Sequence, residues 1–336
     1  MNKVNSWDEF QPLQELLVGS IYESSFFDDV KEVRARDALK RIFDETQEDI
    51  DNFIHTMKSH NIKVYQASAK ELGYKDSIME YVNDKGELGY KRNAGEDRSR
   101  HDYSLYYSGI KGNLIPNPPL QPRDDCIVMG NKILATDPWT FATKSMLPKF
   151  YEWFGKDNVD ICIEEKDYMF TRSDQNIKNL LLRSNKPVTP KNIKKTRSKD
   201  KLGSFCSPNL TRIGKTCLVD TWQVPTVVDD FLSIEYPNFN YKEIFIGGHN
   251  DAVFSVIKPG LVIATRDLTP YKDIFKGWDI IWFEDPNWSK VRNWRMLKHK
   301  NEGKWWVPGE ENNDEFTHFV ESFLPNWTGM VEETIF

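Results

Sequence analysis

At residues 246–254 the chain reads IGGHNDAVF, which sets a histidine two places before an aspartate. If His249 and Asp251 share a strand, alternation puts them on one face, and the adjoining glycines Gly247 and Gly248 permit close backbone approach. An imidazole beside a carboxylate supplies a base for proton transfer near neutral pH together with an anionic holder for a cation. The same pair could also form a purely structural buried His–Asp hydrogen bond, and the residues by themselves leave both readings open.

Other chemistry-bearing residues are less suggestive. His55, His60, His299 and His318 sit in or beside helical or charged segments, without partners at metal-ligand spacing, and His101 next to Asp102 is a weak candidate in a polar stretch. RIGKT at 212–216 imitates the end of a phosphate-binding loop, but Asn209 stands where that motif needs its first glycine, and the flanking pattern is strand-turn-strand. His249 and Asp251 alone fall short of the three or four ligands of a metal site. The four cysteines, Cys126, Cys162, Cys206 and Cys217, lie far apart and read as reduced, mostly buried thiols.

The elements that must position these residues follow from hydrophobic pattern. CIVMGNKILATD (126–137), NLTRIGKTCLVD (209–220) and FSVIKPGLVIATRD (254–267) share one plan: apolar strand, glycine turn, apolar strand, aspartate. Gly130, Gly214 and Gly260 suit the positive φ of tight hairpins. LQELLVGS at 13–20 suggests a fourth, weaker copy. Helical spacing of Ile42, Phe43, Ile50, Phe53, Ile54 and Met57 predicts a helix over 42–57, followed by the strand IKVYQ. Further helices are predicted over 141–154, bent at Pro148, and over 314–324. Hairpins alternating with helices specify an α/β protein.

Two polar stretches, 84–103 and 185–203, read as surface insertions, the second a basic loop with two prolines. Residues 278–306 hold six of the eleven tryptophans and read as a connection pinned to the body by aromatic anchors. With 336 residues, 39% hydrophobic content and a formal net charge of −6, the chain is expected to be globular, without a general affinity for nucleic acid. The N-terminus has no apolar signal region, and no run approaches the roughly 18 apolar residues of a membrane span. The expectation is a cytoplasmic protein without a membrane association.

PRDDCIVMGNKIL (122–134), LTRIGKTCL (210–218) and GGHNDAVFSVIKPGLVI (247–263), with the opening VNSWDEFQPLQELLVGS, resemble in order and spacing the glycine amidinotransferase family and its guanidino-group-modifying relatives. The resemblance covers most of the chain and is most specific at His-x-Asp followed by Pro-Gly. It implies a single pentein-type α/β propeller domain of repeated ββαβ modules around a central cleft, with the last module missing or incomplete. It implies amidino transfer from a guanidino donor such as arginine to an amine acceptor, through a covalent cysteine intermediate and without cofactor or metal. By position His249 resembles the proton-transferring histidine, and Asp124 and Asp251 resemble the substrate-binding carboxylates. Asn209 stands where the family carries a catalytic aspartate. The family's nucleophile lies in a C-terminal His-Cys motif that this chain does not contain, so a complementing C-terminal fragment or a homo-oligomer is expected. Guanidine hydrolysis with water as acceptor, and a non-catalytic protein binding a guanidino compound or a partner chain, are the alternatives.

Overall fold

The apolar stripe read over 42–57 belongs to a longer helix. The computed structural model describes residues 4–81, 115–138, 140–162, 170–183, 185–198, 201–202, 205–222, 224–246, 249–251, 253–264, 273–282, 309–310 and 312–324. In it helix α1 runs over Val33–Ser59. Its buried face adds Ala35, Ala38 and Leu39 to Phe43, Ile50 and Ile54, whereas Phe53 is exposed and Ile42 and Met57 are half-buried. The helix starts upstream of the expected residue because its first turn is satisfied from far along the chain. Glu32 makes no side-chain capping bond; instead the Glu315 carboxylate accepts from the backbone N–H of Arg34 (2.6 Å) and Ala35 (3.3 Å). A carboxylate there fills orphan donors and meets the positive end of the helix dipole.

The chain divides into two compact units. One comprises Gln14–Pro122, Thr140–Lys149 and Pro286–Phe336. Within it β1 (Glu15–Leu17) lies parallel to β2 (Lys63–Tyr65), with α1 as the crossover, and a helix over Asp314–Phe323 packs against α1. LQELLVGS is therefore a strand with a parallel partner across a helix, not the start of a fourth hairpin.

The other unit comprises Met1–Leu13, Arg123–Trp139 and Phe150–Asp285, and one arrangement occurs in it three times. β3 (Cys126–Met129) and β4 (Lys132–Ala135) form an antiparallel hairpin, and β5 (Val159–Ile161) joins β4 in parallel. After a small antiparallel pair, β6 (Phe170–Thr171) with β7 (Lys201–Leu202), the plan repeats. β8 (Leu210–Ile213) and β9 (Thr216–Asp220) make the second hairpin, and β10 (Asn240–Ile244) lies parallel to β9. β11 (Phe254–Lys258) and β12 (Leu261–Ala264) make the third, with β13 (Asp279–Trp282) parallel to β12. All three hairpins turn on glycine in the left-handed region: Gly130 at φ 65°, Gly214 at 59° and Gly260 at 85°. Gly130 meets a second demand, because a Cβ there would lie 2.9 Å from the ring of Trp7. The fold is thus α/β with mixed sheets.

The first crossover is the expected helix, Phe141–Phe154, with Pro148 inside it. Residues 185–203 differ from the expected loop, for Pro190–Arg197 is a short surface helix. Thr189 caps it, its Oγ1 accepting from the N–H of Asn192 at 3.2 Å, and Pro190 occupies the first turn, where its missing N–H costs nothing. Residues 84–103 and the tryptophan-rich stretch beyond Trp282 lie outside the described residues.

Strand periodicity explains the core of this unit. Cys217 and Val219 enter a cluster with Ile127, Met129, Leu134 and Phe231, while Leu218, on the opposite face, joins Ile244, Val256, Val262 and Phe275 in another. The middle sheet is therefore buried on both faces, which is why TCLVD is almost continuously apolar. Among the described residues no helix is long and apolar enough to cross a membrane.

Candidate functional site

Ser207–Asn209 form one buried 3-10 turn that feeds β8, and the unit's polar groups gather around it. Pro208 pre-sets the backbone of this turn. From one side comes Arg123: Nη1 donates to Ser207 Oγ at 3.0 Å and Nη2 to the carbonyl of Leu210 at 2.7 Å. The Ser207 hydroxyl in turn reaches the carbonyls of Arg123 and of Cys126, the latter at 3.1 Å. Asp124, the next residue in the helical turn Pro122–Asp125, is half-buried.

From the other side comes the segment 249–251. Asn250 is fully buried; its N–H donates to the carbonyl of Pro208 at 2.9 Å, and its Nδ2 donates to the carbonyl of Asn209 at 2.9 Å and to Thr211 Oγ1 at 3.2 Å. The carbonyl of Asn250 accepts from the N–H groups of Val253 and Phe254, each at 2.9 Å, closing a tight bend before β11. His249 is half-buried and Asp251 exposed on either side of it. They share a bend, not a strand, and no hydrogen bond or ion pair joins them, so the structural His–Asp pair left open by the sequence is not formed. The residues bonded to the turn are Asn250, which lies between His249 and Asp251, and Arg123, which precedes Asp124.

Asn209 is 3% exposed, and its Oδ1 has no hydrogen-bond donor; the Oδ1 of Asn250 is likewise buried and without one. Two unpartnered acceptors within one hydrogen-bonded unit call for N–H donors from elsewhere, since each buried orphan costs on the order of 1–3 kcal/mol.

Glu9 completes the surroundings. Its Oε1 accepts from the backbone N–H of Arg212 at 3.2 Å and lies 3.8 Å from Arg123 Nη2 and 3.9 Å from Arg212 Nε. The residue is exposed, with 28% of its side-chain surface open to solvent. Burial raises its pKa, outweighing the two guanidinium groups that pull it down, and the nearby Asp251 charge adds to the rise. Burial likewise lowers the pKa of Arg212, outweighing the Glu9 charge that raises it, and the Arg123 charge adds to the fall. Arg212 Nη1 lies within hydrogen-bond distance of the Ser6 carbonyl (3.0 Å), Ser6 Oγ (2.9 Å) and the Val128 carbonyl (2.6 Å), tying the N-terminal segment to β3.

Three of the four thiols are unsuited to attack. Cys126, Cys162 and Cys217 are buried, and burial pushes all three upward, Cys126 and Cys217 to about 12, so they stay protonated at neutral pH. Cys206 alone is half-buried, immediately before the turn. Among the described residues no group of three or more His, Cys, Asp and Glu side chains could hold a metal ion.

Sequence reasoning missed Glu9, Arg123, Ser207, Arg212 and Asn250. Arg123 and Asn250 each adjoin a candidate, which was the available signal; Glu9, far from them in the chain, offered none.

No family model and no curated protein matches the chain. Solved structures similar to it include SxtG, an amidinotransferase from Microseira wollei in the saxitoxin biosynthetic pathway, at 13% identity over 84% of this chain and 76% of that one, with a TM-score of 0.48. Another is inosamine-phosphate amidinotransferase StrB1 from Streptomyces griseus, at 13% identity over 83% and 75%, with a TM-score of 0.46. A third is a dimethylarginine dimethylaminohydrolase, at 7% identity over 82% and 78%, with a TM-score of 0.44. The functional reading below rests on the residues of this chain.

Proposed function

We propose that this chain is a pentein-type, guanidino-group-modifying enzyme of the amidinotransferase kind, a single propeller-like domain whose substrate site surrounds Asn209. The observation that carries the reading is the docking of the His249–Asp251 bend on the Ser207–Leu210 turn, beside two buried acceptors that lack donors. A guanidino group, planar and edged with N–H, is a ligand of matching chemistry. Asp124 and Asp251 are the carboxylates for the donor's guanidinium or amino end. A thiolate adds to the guanidinium carbon, and the departing amine takes a proton from His249, leaving an amidino group bonded to sulfur. An acceptor amine then attacks, His249 takes the proton back, and the thiolate leaves. Burial and raised pKa values set Cys126, Cys162 and Cys217 aside, and in this reading a complementing segment with a His-Cys motif supplies the thiolate, with half-buried Cys206 as the alternative source within residues 1–336.

Calorimetry with arginine, together with an assay for ornithine in the presence of glycine, tests this. Residues 1–336 alone are expected to bind arginine and release no ornithine; addition of a segment bearing a His-Cys motif is expected to start turnover. Absence of arginine binding would refute the site, and ornithine release by the chain alone would refute the source of the thiolate. Citrulline in place of amidino transfer would identify a hydrolase. The uncharged Asn209 favours a second reading, a non-catalytic guanidino-binding protein; binding that never leads to turnover, with the complement present, supports it.

A further inference from the structure

His249 and Asp251 are drawn to Asn209 by one residue that is neither acid nor base. We propose that Asn250 is the positioning residue of this site: its carboxamide sets where His249 and Asp251 stand relative to Asn209. The inference rests on the reading of His249 as the proton-transferring group.

The geometry is specific to a carboxamide. Nδ2 carries two hydrogens, and it has two acceptors within reach, the Asn209 carbonyl at 2.9 Å and Thr211 Oγ1 at 3.2 Å. An aspartate of the same shape would bring oxygen against those acceptors, and leucine would leave them without their donor. The backbone of Asn250 is engaged as well, donating to Pro208 and accepting from Val253 and Phe254, so the side chain and the bend form one rigid piece. Full burial removes competing water from every one of these bonds. His249 has no hydrogen bond or ion pair of its own among the described residues; its placement is inherited from its neighbour. Asp251, on the other side of Asn250, is exposed and is held the same way.

The experiment uses Asn250→Ala, which keeps the backbone bonds and deletes the pin, and Thr211→Val, which removes one acceptor at nearly constant shape. Arginine affinity is measured across pH by calorimetry, and the His249 imidazole is titrated by NMR without ligand. Thr211→Val is expected to weaken arginine binding about fivefold, and Asn250→Ala about tenfold or more. Both are expected to move the His249 titration, which a stability effect remote from the site would leave alone. An unchanged His249 titration with unchanged arginine affinity in a folded variant overturns the proposal; should Asn250→Ala not fold, Thr211→Val alone decides it by the same criterion. If the wild-type protein binds no arginine, the functional reading fails. The NMR titration still separates the two, because a displaced His249 titration supports the positioning role and an unmoved one refutes it.

Discussion

Replacing Asn209 with aspartate would place a charge in the buried turn, and the consequences can be worked out from its surroundings. The side chain is 3% exposed with Oδ1 unpartnered, and the guanidinium of Arg123 is bonded to the next carbonyl, that of Leu210. In the free protein the new carboxylate would be buried without a direct partner, and leaving such a charge uncompensated costs up to about 3–5 kcal/mol. Arg123 and partial protonation reduce that penalty. Burial raises the pKa of the new acid, so the variant should approach wild-type stability below the usual carboxylate range and lose ground as pH rises through the raised value. A guanidino ligand reverses the balance: a hydrogen bond to a charged acceptor contributes about 1–1.5 kcal/mol more than one to a neutral acceptor, close to tenfold in Kd. Asn209→Asp is thus expected to melt lower than wild type without ligand, to bind arginine about tenfold more tightly, and to gain more thermal stability from arginine. Calorimetry and thermal unfolding with and without arginine measure all three. A folded variant with equal or weaker arginine affinity would refute the placement of the ligand at Asn209.

Gly130→Ala and Gly214→Ala both force a side chain into a left-handed backbone at a cost of about 1–2 kcal/mol. Urea denaturation should show the larger loss for Gly130→Ala, since its Cβ meets the Trp7 ring at 2.9 Å while that of Gly214 meets open space. Iodoacetamide applied to the native protein should label Cys206 first and be silenced there by Cys206→Ser; rapid labelling of Cys126, Cys162 or Cys217 would contradict their burial. The raised pKa of Glu9 makes the folded state hold its proton more tightly than the unfolded state. Its contribution is therefore full below the ordinary glutamate pKa and is lost as pH rises through the folded value. The stability difference between wild type and Glu9→Gln should fall over that rise, and a difference that grows instead would show the two arginines to dominate.

The hairpins were legible because their rules are local. A glycine with positive φ between two apolar runs specifies an antiparallel turn wherever the chain later goes, and all three read in this way form with glycine at the turn. The amphipathic helices were legible for a similar reason, the period of the buried stripe. LQELLVGS misled because a short apolar run does not say whether its partner strand lies across a turn or, as here, beyond a helix of 27 residues. The basic stretch 185–203 was read by composition, which concealed the Thr189 cap and the proline at the first turn that start its helix. In the site, residue types announced His249 and Asp251 as candidates, but the alternation that was to align them does not apply in a bend.

By itself the sequence determined the three glycine hairpins, the helices around 42–57, 141–154 and 314–324, and which side chains carry reactive chemistry, since these follow from neighbours within a few residues. Tertiary structure alone decided that Glu315 caps α1 and that Asn250 docks on Asn209. Those contacts join residues tens to hundreds of positions apart, and a hydrogen bond acts over about 3 Å of space with no imprint on the sequence between its partners.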